Sequence, residues 1–359
     1  MIPNSAWLSL GGSVFVSAAL AALLIWGLRL RDPVRTDDPQ HVHAEPVPRT
    51  GGIAIFFGCL LGVWFTRGLP VDNLVLVTAM LAGSVPIFAA GISEDLSGRV
   101  PPRWRYYASL LAALIVILVA DTRLERFDLP YLDDWLQWGP ASVVVTLFCV
   151  AGVTQAYNII DGKNGLAAGS AIIALLAIAF VAHGLDDSVL RSIALASAGS
   201  LIGFMLFNFP RGLIFLGDGG AYLVGFYTAV LSVMLVSGHP EISAWFPCLL
   251  SAYAIIETLT SVLRRLLIDR NRFDEPDNLH MHSLIYRLLS VHPLLRARPP
   301  WVANALTAVP FLLMAVLIAL GASQDPGDTQ TLRGLGFALV FAYFLVYILL
   351  RLRLRATAH

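Results

Sequence analysis

Long apolar runs broken by short polar stretches set the pattern of this chain. Eleven of them lie at roughly 7–28, 51–66, 71–92, 106–121, 140–158, 165–184, 190–208, 219–237, 242–263, 301–321 and 333–351. Each is close to the ~20 residues a helix needs to cross a ~30 Å hydrocarbon layer. The second is short, so it is expected to tilt little or to begin within the preceding loop. No internal repeat or low-complexity tract interrupts the series. The pattern predicts an all-α, polytopic membrane protein, one helical bundle over 1–359. Its chemistry would sit in loops at about 29–50, 93–105, 158–165, 208–219 and 264–300.

Charge adds a direction. Lys and Arg resist translocation, so loops rich in them stay in the cytoplasm. Alternate loops and the C-terminal tail hold 19 of the 24 basic residues, and the opposite set holds five. That asymmetry puts the N-terminus outside and the C-terminus inside. No basic residue precedes the first run, which is expected to be an uncleaved span rather than a signal peptide. Composition agrees: 57% of residues are apolar and 13% charged, with zero formal net charge. Soluble domains run nearer ~25% charged, and a nucleic-acid binder would carry a basic surplus. Cys59, Cys149 and Cys248 each sit in an apolar run without CxxC spacing, which argues against disulfides and thiolate metal sites.

The five internal loops assigned to the cytoplasm carry an unusual inventory. The first runs His43-Ala44-Glu45-Pro46-Val47-Pro48-Arg49-Thr50-Gly51-Gly52, prolines holding it extended and glycines allowing a tight entry to the next helix. The second holds Glu94-Asp95, then Arg99, Arg103 and Arg105. The third is Asn158-Ile159-Ile160-Asp161-Gly162-Lys163-Asn164-Gly165-Leu166, with the only lysine of the chain. The fourth spans Asn208-Phe209-Pro210 to Phe215-Leu216-Gly217-Asp218-Gly219-Gly220, and the fifth holds Pro276-Asp277-Asn278-Leu279-His280-Met281-His282. Taken singly, each loop reads as solvated surface or a turn. Together, carboxylates, amides, glycines and arginines suit anionic phosphates handled through a hard cation such as Mg²⁺, which takes oxygen ligands.

The order HxxPxPRxGG, acidic pair, NxxDGxNGL, NxxP with FxGD, and a late HxH resembles the polyprenyl-phosphate N-acetylhexosamine-1-phosphate transferases. The likeness covers residues 43 to about 287 and is greatest to the branch that starts O-antigen, common-antigen and teichoic-acid polymers. Three positions depart from that family's pattern: Glu94 where two aspartates are usual, Asn278 where Arg is common, and Ser283 where a third His often follows.

The resemblance implies transfer of a HexNAc 1-phosphate from a UDP-amino sugar to undecaprenyl phosphate, with release of UMP. It implies Mg²⁺ (or Mn²⁺) on Asp218 and Asn158, and Glu94, Asp95 and Asp161 activating or orienting the lipid phosphate. Asn164, Asn208, Phe215, His280, His282, Arg49 and Arg103 are implied substrate contacts, Phe215 by stacking on uracil. Arg105 is the other candidate for the phosphate-gripping place given to Arg103. Whether a carboxylate acts as base, covalent nucleophile or positioner stays open; direct attack by the lipid phosphate needs no intermediate. The implied setting is the bacterial inner membrane with the site facing the cytoplasm, with a homodimer left open and no nucleic-acid partner. Glu257, inside the ninth run, starts a polar stripe through Thr260, Ser261 and Arg264; it either pairs with Arg264 at the interface or reaches the substrate. A transporter of nucleotide sugars and a silent scaffold are the competing classes, the first disfavoured because the polar clusters lie at span ends.

Overall fold

The computed structural model describes residues 4–28, 47–64, 71–269 and 279–356. His43 to Pro46 of the first motif, and Pro276, Asp277 and Asn278 of the fifth, lie outside the described residues, as do several of the arginines behind the orientation. Among the described residues every regular element is helical.

In chain order these are α1 (Asn4–Leu28), α2 (Gly51–Trp64), α3 (Val71–Ser97), α4 (Pro102–Ala120), α5 (Pro130–Leu136), α6 (Gly139–Ile160), α7 (Leu166–Gly184) and α8 (Ser188–Asn208). They continue as α9 (Gly217–Gly238), α10 (Trp245–Leu250), α11 (Ala252–Arg264, followed by a π-turn at Arg265–Asp269), α12 (Met281–Val291), α13 (Pro293–Arg296), α14 (Pro300–Ala322) and α15 (Thr329–Ala356). Nine of the described helices are long and apolar enough to cross a membrane, and the protein is a multi-pass membrane protein. Two expected runs take a different form. The second is a 14-residue helix, too short to span alone. The ninth breaks at Ser251, whose φ of −104° and ψ of 12° leave the helical region between α10 and α11.

Local chemistry explains several boundaries. Pro102 opens α4, where a missing N–H costs nothing, and Asp121 closes it in the left-handed region at φ 46°. Asp187 caps α8 by accepting the N–H groups of Val189 and Leu190. α9 is the central element, buried along nearly its whole length by α3, α6, α2 and α7. α1 packs on α8 and α2 through Ser9, Ser13 and Ser17, small side chains that let helix backbones approach in lipid. The described parts of the five polar loops meet at the end of the bundle where α9 begins.

Candidate active site

The site is built around the first turn of α9. Two motif loops pair to hold it: Phe215 N–H donates to the Pro48 carbonyl at 2.8 Å, and Gly51 and Gly52 N–H donate to the carbonyls of Phe215 and Leu216. Gly217 then turns the chain at φ +70°, a conformation that favours glycine. Asp95, near the C-terminal end of α3, accepts from the N–H groups of Asp218 and Gly219, each at 2.8 Å. The acidic pair thus supplies the N-cap of a distant helix, where the carboxylate meets the positive end of the helix dipole. Such an approach needs bare backbone: a Cβ at Gly91 would lie 2.5 Å from the Gly219 Cα.

Asp218 projects from that turn. Its Oδ2 is ion-paired with Arg105 Nη1 of α4, and its Oδ1 accepts from Asn158 Nδ2 of α6 at 3.2 Å. Tyr222, one turn further along α9, is within electrostatic reach of Asp218 and Arg105. Asp161, which ends α6, faces Asp218, Asp95 and Arg49. Burial, with repulsion from Asp218 and Asp95 and against the attraction of Arg49, pushes its carboxyl up to about 7. Three carboxylates thus share a space with Arg105 and Arg49. A donor set of carboxylate and amide oxygens matches a hard divalent cation, and repulsion between the acids is what such an ion relieves. Asn158 would present its oxygen to such an ion once its amide is turned over.

Of the expected site residues, the structure gathers Arg49, Asp95, Asn158, Asp161 and Asp218. Arg103 is exposed at the start of α4, and Arg105 takes the inward place instead. That correction has a helical reason. Arg105, Ser109, Ala112, Ala113 and Val116 follow one inward face of α4, while Arg103 is about 200° from Arg105. Glu94 Oε2 accepts the Val100 N–H at 2.7 Å and so braces the turn between α3 and α4. Asn164 and Asn208 are buried, and their amides are spent on the loops. Asn164 Nδ2 donates to the Pro210 carbonyl, while Asn208 accepts from Gly165 N–H and donates to the Ile214 carbonyl. Phe215 is half-buried beside them.

The HxH segment docks on the third loop. His282, 2% exposed, shares a 3.0 Å hydrogen bond between its Nδ1 and the Tyr253 hydroxyl, and a Cβ at Gly162 would lie 2.7 Å from its Nε2. Lys163 Nζ sits 4.4 Å from the Tyr286 ring centroid, one turn beyond His282 on α12, and burial lowers its ammonium to about 8. His280 stacks on His282 at 5.3 Å and meets Glu257 Oε1 at 2.9 Å. Glu257 also accepts the Met281 N–H, so it holds the entry to α12. The sequence offered Glu257 as the start of a polar stripe, paired with Arg264 or reaching substrate; the His280 it meets lies 23 residues away, beyond helical periodicity. Tyr222 gave no signal beyond its i+4 spacing from Asp218.

Fold and site together define a membrane-embedded helical bundle that gathers carboxylates, amides and arginines at one end. A sequence profile of glycosyl transferase family 4 matches residues 77–236. The chain is 30% identical over 277 residues to a probable undecaprenyl-phosphate N-acetylglucosaminyl 1-phosphate transferase of Bacillus subtilis, covering 75% of each chain. It is 27% identical over 355 residues to the decaprenyl-phosphate N-acetylglucosaminephosphotransferase of Mycolicibacterium smegmatis, covering 87% of this chain and 81% of the other. A phospho-N-acetylmuramoyl-pentapeptide-transferase of Desulforudis audaxviator is 27% identical over 262 residues, covering 67% and 77%. The protein belongs to glycosyl transferase family 4 and is an enzyme of that family.

Proposed function

We propose that this enzyme transfers an N-acetylhexosamine 1-phosphate from its UDP-linked form to undecaprenyl phosphate, starting a lipid-linked cell-surface glycan such as an O-antigen. One observation carries the reading: Asp218, Asp95, Asp161, Asn158 and two arginines meet at a helix N-terminus at the end of a membrane bundle. Anions are favoured at such a terminus, and arginines bind phosphate through paired N–H donors. The names of the relatives, which pair polyprenyl phosphates with N-acetylglucosamine 1-phosphate, support the same chemistry.

In the proposed step an oxygen of the lipid phosphate attacks the β-phosphorus of the sugar nucleotide. The bond from that phosphorus to the bridging oxygen breaks, and UMP leaves with the bridge oxygen. Attack between two anions needs charge neutralisation and in-line positioning. Mg²⁺ (or Mn²⁺) on Asp218 and Asn158 would supply the first. Asp161 and Arg49 face the same space and orient the lipid phosphate; Asp95 and Glu94 hold the framework. Phe215 and His282 flank it on the nucleotide and sugar side. The charge asymmetry of the loops supports a site on the cytoplasmic side of a bacterial plasma membrane. The test is purified enzyme with undecaprenyl phosphate and a panel of UDP-amino sugars, scored by mass of the lipid product with and without EDTA. A lipid diphosphate sugar formed only without EDTA is expected. No lipid product from any donor, or undiminished product in EDTA, would overturn the substrate or the metal respectively.

A further inference from the structure

Arg105 occupies an odd place for a substrate-binding arginine. Its Nη1 is committed to Asp218 Oδ2, the carboxylate proposed to take the cation. Both side chains are mostly enclosed, at 15% and 14% exposure, so the pair is poorly screened by water. Yet the guanidinium is not fully satisfied: its Nε is buried without a hydrogen-bond partner among the described residues. A buried donor left unmade is costly, and in a native site such an orphan calls for an explanation. An arginine held by one oxygen of one acid, near Tyr222 and Glu94 and with a second donor unspent, is held but not finished.

We propose that Arg105 is an exchangeable counter-ion. It occupies the Asp218 oxygen while no divalent cation is bound, and the cation displaces it. The released guanidinium then turns its donors, Nε included, to a diphosphate. The inference rests on the proposed cation role of Asp218. It goes beyond that reading by making one arginine a competitor for the metal and a partner for the anion. Before loading, Arg105 keeps the acids from repelling one another across a closed space. After loading, the same charge is available where the donor's phosphates arrive, and a guanidinium pairs with phosphate through two parallel bonds. Cation and diphosphate would therefore bind with positive coupling, because each one makes room for the other.

The test measures binding, not turnover. Full-length protein in detergent is titrated with Mn²⁺ by electron paramagnetic resonance, and with UDP at fixed Mn²⁺ by calorimetry. Arg105→Gln should bind Mn²⁺ at least about threefold tighter than wild type and, once loaded, bind UDP at least about tenfold more weakly. Arg99→Gln, which removes an exposed charge from the turn before α4, should leave Mn²⁺ affinity within about twofold and so separates contact competition from general electrostatics. Should Arg105→Gln misfold by size exclusion, Arg105→Lys is the second variant. Its shorter reach should also tighten Mn²⁺ binding. Unchanged or weaker Mn²⁺ affinity in the folded variant, or the same gain in Arg99→Gln, would overturn the exchange; unchanged UDP affinity would overturn the release to phosphate. Absence of saturable Mn²⁺ binding in wild type, or saturable binding that Asp218→Asn leaves unchanged, would instead sink the metal reading on which the exchange rests.

Discussion

The two ends of α9 solve opposite problems with the same residue types. At its C-terminal end, about 30 Å from Asp218 at 1.5 Å per residue, Asp128 accepts from the Ser243 hydroxyl, the Ala244 N–H, the Thr329 hydroxyl and Arg126. Arg126 also donates to the carbonyls of Val236, His239 and Ile242, closing the end of the helix. Each acid oxygen has a donor, and those donors hold the Asp128 carboxyl below its usual range although burial works against them. At the N-terminal end Asp161 has no hydrogen-bond donor to its side chain among the described residues, faces two other acids, and is pushed up to about 7. One end is saturated with hydrogen bonds. The other keeps an excess of negative groups, an arrangement stability alone does not favour and a cationic or phosphate-bearing ligand completes.

That contrast can be broken in graded steps. The largest effect should come from Asp95→Asn, which puts an NH₂ against one of the two N–H groups it now accepts. Turnover should fall about a hundredfold, or ~2.7 kcal/mol, because Asp218 loses its support; wild-type kinetics would show that the cap does not position the site. Asp128→Asn at the opposite end should cost about 1–3 kcal/mol of stability, read as a lowered Tm in detergent, with kcat of the folded fraction within about twofold. Lost activity at unchanged Tm would make the saturated end functional after all. Glu94 separates bracing from catalysis: Gln can still accept from Val100 N–H, whereas Asp falls short by about one 1.5 Å bond. Glu94→Gln should remain within about threefold of wild type and Glu94→Asp should lose more, up to about tenfold. The reverse order would restore Glu94 to the reaction itself.

The smallest effect is a pH dependence. The Asp161 carboxyl ordinarily titrates at 3.8 and in the fold at about 7. Between those values the folded state holds a proton the unfolded chain has lost, so this group's contribution to stability falls as pH rises and levels off above about 7. In EDTA, Asp161→Asn should therefore gain on wild type as pH rises from about 5 to about 8, reaching about 2 °C in Tm. A gain that is constant over that range would mean Asp161 is not crowded by Asp95 and Asp218.

Much of this was legible in the sequence because apolar length and charged loops are local signals. Asp218, Asn158 and Asp161 stood out by type and spacing, and the fold brings them together. What stayed hidden depends on long-range geometry. Asp95 reads as half of an acidic pair, and nothing near it in sequence says that its partners are the N–H groups of residues 218 and 219. Asn164 and Asn208 are substrate contacts only as the resemblance implies; buried, each spends its amide on the loop backbones that cross there. The choice of Arg105 over Arg103 was recoverable, since the proline pair fixes where α4 starts and the small residues mark its inward face. The break at Ser251 was not, because an unbroken apolar run gives no sign of a turn inside it.

The central claim is that the crowded end of α9 transfers the sugar phosphate while the saturated end only holds the fold. It is tested most directly by measuring turnover of purified Asp218→Asn at saturating Mg²⁺, with Tm taken on the same preparation. The account predicts less than about a tenth of wild-type product, a loss above ~1.4 kcal/mol, at a Tm close to wild type. More than about a tenth of wild-type activity in that folded variant would contradict it.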